Sequence, residues 1–128
     1  MYKLIFSFLL LFSLASCIGK GEKVPLINTG KFEVGQTYIY DYGDAKYEVK
    51  CLTDSTLHWK CIEGEELGKE ETDKYYKQEL EGNSVFLTWA EADGIGVSQI
   101  IDFNKNTVKL YLKIDKQIET AEAKISKK

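Results

Sequence analysis

Four tyrosines and one glutamate carry most of the chemistry open to this 128-residue chain. Tyr38, Tyr40 and Tyr42 alternate within Thr37-Tyr38-Ile39-Tyr40-Asp41-Tyr42, so an extended backbone puts the three phenols on one face. Tyr47 follows on the next alternating stretch. A cluster of phenols can orient a carboxylate or a hydroxylated ring while the rings pack an apolar body. The same residues also suit plain wall packing, because tyrosine favours strands. Glu91 lies in phase with Val85, Leu87 and Trp89. It is either a strand-end residue facing water or a buried acid, whose raised pKa would suit proton donation.

The cysteines leave two readings open. If the turn between their strands centres on Asp54-Ser55-Thr56, Cys51 faces Trp59 and lies diagonal to Cys61. The pair is then either a stretched candidate disulfide or two buried thiols. A metal centre is not expected, since His58 is the only histidine. The chain also lacks a phosphate-cradling glycine loop and a nucleophile elbow.

Short alternating stretches must position these residues. They fall at 37–42, 46–52, 57–62, 67–80, 84–91, 95–103 and 107–114, separated by Gly, Asn and Asp turns. Seven or eight strands at this spacing predict an all-β fold, a small antiparallel up-and-down barrel over residues 32–114. Residues 115–128 are charged, free of Gly and Pro, and rich in helix formers; they read as a charged tail or a short helix.

The amino terminus reads as an address. Lys3 precedes the apolar run Leu4–Phe12, and Leu14-Ala15-Ser16-Cys17 follows. This pattern is that of a signal peptide over residues 1–16. Leu-Ala-Ser-Cys resembles the bacterial lipobox, which implies cleavage before Cys17 and lipid, palmitate included, on that cysteine. Residues 17–31 read as a lipidated cysteine and flexible tether. Ile18 takes the place of the aspartate that retains many lipoproteins at the inner membrane, which points to the outer membrane of the cell envelope. Cleavage removes one lysine and no acid, leaving 16 lysines against 20 Asp plus Glu. A mildly acidic surface argues against nucleic acid as a partner. The chain has no arginine, so it lacks the two-point fork that best grips carboxylates and phosphates.

The stretch from Val34 to about Leu112 resembles the MoaF-like domains and the related phenolic acid decarboxylases, a lipocalin-like branch of small barrels. The residues that carry the resemblance are Gly35 to Tyr42, Lys46-Tyr47-Glu48, Gly64 to Lys69, and Trp89 to Gly94 with Val97. The resemblance implies a cofactor-free pocket inside the barrel. Tyr40 and Tyr42 would hold an acid or phenol, Tyr47 would support them, and Glu91 would be the general acid beside Trp89. Lys69 stands where the decarboxylases carry arginine. The resulting expectation is a membrane-anchored protein binding a small apolar or aromatic ligand. One alternative is a decarboxylase-like lyase; another is a structural protein with a filled barrel.

Overall fold

The computed structural model describes residues 31–128. The stretches read as signal peptide and tether, with Cys17, lie outside the described residues as far as residue 30. Eight strands follow in order: β1 (Thr37–Asp41), β2 (Lys46–Cys51), β3 (Thr56–Glu63), β4 (Glu70–Leu80), β5 (Ser84–Ala90), β6 (Gly96–Asp102), β7 (Thr107–Ile114) and β8 (Gln117–Lys127). Each pairs antiparallel with the next, and β8 pairs with β1 to close the barrel. The expected all-β up-and-down barrel is present, with eight strands.

Alternation explains the lumen. Tyr38 and Tyr40, Val49 and Cys51, Leu57 and Trp59, and Val85, Leu87 and Trp89 are buried at every second position. Their removal from water is the main stabilising term. One end of the barrel is plugged. Phe32, 1% exposed, stacks on Tyr38 with ring centroids 5.0 Å apart and meets the edge of Tyr75. Lys77 Nζ donates to the Phe32 carbonyl, and Lys31 Nζ donates to the carbonyls of Leu80 and Ser84. The other end is a mouth, rimmed by the β1–β2, β3–β4, β5–β6 and β7–β8 connections.

Two expectations are corrected. Residues 117–127 are a strand, neither tail nor helix. Asp115, at φ 56°, turns the chain between Ile114 and Gln117, and β8 then pairs with β7 along its first part. Its last part, Lys124 to Lys127, also pairs with β1, and it buries Ala123 and Ile125. Helix propensity here is overridden by the seam that the barrel needs closed. The β2–β3 register also differs: Cys51 opposes Leu57, and Cys61 opposes Tyr47. Four residue steps along the hairpin separate the cysteines, about 13 Å, where a disulfide needs Cα atoms within about 7 Å. Both thiols are free and buried.

Candidate functional site

Each side chain at the mouth is fixed by a local device. The β5–β6 turn closes through Glu91 N–H on the Ile95 carbonyl (2.9 Å) and Gly94 N–H on the Glu91 carbonyl (2.8 Å), which sets Glu91 at the rim. The β3–β4 loop brings Glu66 and Lys69. It is anchored by Gly64, whose φ of 117° favours glycine and where a Cβ would lie 2.9 Å from the Ala45 Cβ. Cys61 N–H then bonds the Lys69 carbonyl. Tyr42 and Tyr47 meet edge to face at 6.0 Å, and Tyr47 in turn meets Trp59 at 6.0 Å.

These elements enclose a cavity of about 140 Å³ that opens at the mouth. All six residues singled out from the sequence as catalytic or ligand-binding line it: Tyr40, Tyr42, Tyr47, Lys69, Trp89 and Glu91. Two other hollows lie elsewhere, one beside Phe103 and Ser126 and one along Lys109 and Thr120. Tyr38, grouped with the other phenols by alternation, lines the first of these and not the mouth cavity, and neither hollow holds any of the six.

Much of the polar equipment is already engaged. Tyr40 donates its phenol to Gln99 Oε1 at 2.8 Å deep in the lumen, and burial raises its pKa well above the ordinary value. Tyr47 donates to Glu66 Oε1 at 2.6 Å. Burial raises the Tyr42 and Tyr47 pKa values as well, so all three phenols stay neutral. Lys69 Nζ lies 3.4 Å from Glu66 Oε2, with its side chain 46% exposed. It is held by a carboxylate of its own loop, with Asp93 and Glu91 in its field. One group is left over: Trp89 is 8% exposed, and its buried indole N–H has no acceptor among the described residues.

The acids crowd one another. Glu91 is pushed up to about 7, first by burial and then by Asp93, Glu71 and Asp73. Asp73 is pushed up to about 6 by burial and by Glu71, against a hydrogen bond of 3.1 Å from the Trp59 indole. Glu71 itself accepts the Ala92 N–H at 2.7 Å. Glu91 falls between its two sequence readings: it sits just past the end of β5 and is half-buried, with its carboxyl facing the cavity. A carboxyl near 7 exchanges its proton at neutral pH, so it can act as proton donor or as a pH-dependent charge.

Residues 34–126 match the MoaF-like family, most of the described barrel. The chain belongs to the MoaF-like family. A crystal structure of a protein from Burkholderia vietnamiensis, named as a putative beta-lactamase, has a similar fold. Its TM-score is 0.69 at 18% identity, over 74% of this chain and 94% of that one. At this identity the likeness speaks to the fold alone. No curated protein matches the chain.

In this MoaF-like barrel the sequence reading missed four polar contributors. Gln99 was detectable as the lone polar residue in phase with Val97 and Ile101 on β6. Trp59 was visible by alternation on β3, but not as a cavity wall. Glu66 sits in a loop, where periodicity is silent. Asp73 lies on β4, whose mixed polar sequence hides which face turns inward. No group of three or more His, Cys, Asp or Glu among the described residues is arranged to hold a metal ion.

Proposed function

We propose that this MoaF-like protein is a membrane-tethered barrel that binds one small, largely apolar or aromatic molecule at its mouth. The observation that carries the reading is the convergence of Tyr40, Tyr42, Tyr47, Trp89 and Glu91 on one cavity of about 140 Å³. An apolar cavity of about 150 Å³ accommodates benzene, so the size suits a single ring. Aromatic walls with a few polar groups are the usual composition of a small-molecule site.

The tether belongs to the same proposal. Lipid on Cys17 would hold the protein at the outer membrane, facing the cell envelope. The described chain enters at the plugged end, through Lys31 and Phe32, so an anchor there would leave the mouth pointing away from the lipid. Wild type is expected in the detergent phase on phase partitioning, and Cys17→Ser in the aqueous phase. Equal partitioning of the two would remove the tether.

The binding test uses the two tryptophans, both of which line the cavity. Benzyl alcohol is expected to change their emission saturably, and Leu112→Phe, which fills the cavity, is expected to abolish the change. A second reading is a decarboxylase-like lyase with Glu91 as general acid, favoured by its carboxyl lying near 7. Loss of p-coumarate absorbance in wild type but not in Glu91→Gln would support it; no turnover in wild type would remove it.

A further inference from the structure

The charge of the mouth selects among ligands. Glu66 and Glu91 line the cavity, and Glu71, Asp73 and Asp93 stand close enough to raise the pKa of Glu91. Lys69 is the only cation in the lining, and Glu66 already holds it at 3.4 Å. The lining itself thus holds two carboxyls and one lysine, and three further carboxyls, from β4 and the β5–β6 turn, act on Glu91. An entering carboxylate would meet repulsion and no free guanidinium-like fork.

The walls below the rim complete the pattern. Tyr42, Tyr47 and Trp59 form a run of edge-to-face rings, and Tyr40, Tyr42 and Tyr47 stay uncharged. Neutral aromatic faces attract a cation through their quadrupoles, Trp and Tyr most strongly. Independently of the acids, the Trp89 indole N–H is a buried donor in the lining that lacks an acceptor among the described residues. Leaving such a donor unpaired is costly, so an oxygen acceptor on the body of an occupant, apart from its charged group, would satisfy it.

We propose that the cavity takes a small organic ammonium ion, with its cation among the rim carboxylates and its apolar body against the aromatic walls. This rests on the binding reading above and names the ligand class for that site. The carboxylate form of Glu91 makes the stronger partner, so binding tightens as pH rises through about 7 and releases a proton. The groups facing Glu91 are Asp93 on its own turn, Glu71 and Asp73 from β4, and Lys69 from the β3–β4 loop. Loss of the Asp73 proton, near 6, acts in the same direction.

The test is isothermal titration of the full chain with three probes of one size: benzylamine, benzyl alcohol and benzoate, at pH 5 and pH 8. At pH 8 the amine is expected to bind about tenfold tighter than the alcohol, and benzoate weakest. At pH 5, and in Glu91→Gln at pH 8, the gap between amine and alcohol is expected to narrow to about threefold or less. If benzoate binds as well as the amine, or the alcohol ties with it at pH 8, the ammonium proposal is overturned while the binding pocket stands. If none of the three binds at either pH, the pocket reading itself falls.

Discussion

Tyr40 on β1 and Gln99 on β6 are joined across the lumen by a buried hydrogen bond of 2.8 Å, phenol to side-chain carbonyl. That bond occupies a phenol which the resemblance to decarboxylases would give to a ligand. It makes Tyr40 a strut of the cavity wall. Truncation of one partner leaves the other unpaired and buried, which costs about 1–3 kcal/mol. Tyr40→Phe is therefore expected to destabilise the barrel by that amount in denaturant unfolding. Tyr40→Phe combined with Gln99→Leu is expected to recover much of the loss. A double variant whose loss equals the sum of the two singles would show that the bond does not couple them.

Stability should fall as pH rises across the window set by the mouth acids. Glu91 titrates at about 7 in the folded chain and at 4.5 as a free side chain. Asp73 does so at about 6 against 3.8. Between these values the folded state keeps protons that the unfolded state has released, so deprotonation works against folding. The contribution is full below the unfolded values and lost above the folded ones. For a half-exposed carboxyl this amounts to about 1 kcal/mol after solvent screening. Melting is expected to occur a few degrees higher at pH 5 than at pH 8, and Glu91→Gln is expected to reduce the difference. Wild-type stability that climbs from pH 5 to pH 8 would contradict the crowding of these acids.

The seam between β8 and β1 gives a prediction that a tail could not meet. Ile125 is 4% exposed and opposes Tyr40 across the seam. Ile125→Ala is expected to cost about 2–5 kcal/mol, the range for emptying a core position. Ile118 lies in the same strand but is 67% exposed, and Ile118→Ala is expected to change stability by less than about 0.5 kcal/mol. Equal small effects at both positions would mean that β8 does not close the barrel.

Cys51 and Cys61 should behave as two unconnected thiols. Cys51 Sγ donates to the Thr53 carbonyl at 3.2 Å and lies 3.2 Å from the Tyr75 hydroxyl, and burial raises its pKa. Cys61 Sγ donates to the Glu63 carbonyl at 3.3 Å. Alkylation without prior reduction is expected to label both in denaturant and neither in the folded chain. Recovery of a peptide pair joined through these residues would overturn the register of β2 and β3.

The particular successes and misses have physical causes. Tyr38 and Tyr40 were legible because a barrel wall needs apolar bulk at every second residue, and alternation reports that directly. Register was not: sliding the β2–β3 pairing by two residues, which moves the turn centre by one, keeps every side chain on its face, so Cys51 could be set opposite Trp59 or Leu57 with the same pattern. Strand β8 was hidden because its residues from Gln117 to Glu122 are all exposed, leaving no alternation to read. Only Ala123 and Ile125 carry the inward signal. At Glu91, phase placed the carboxyl on the right face. Its neighbours Glu71, Asp73 and Asp93 come from separate elements, and their approach belongs to the closure of the barrel.

The central claim is that a small molecule occupies the cavity beside Trp89. The chain has two indole N–H groups: that of Trp59 bonds Asp73, and that of Trp89 has no acceptor among the described residues. The most direct measurement is the nitrogen–proton correlation spectrum of the labelled full chain during titration with benzyl alcohol. Saturable movement of the Trp89 indole resonance, together with the Gln99 side-chain amide, is the predicted result. Movement confined to residues of the outer surface, with both indole signals fixed to saturation, would contradict the account.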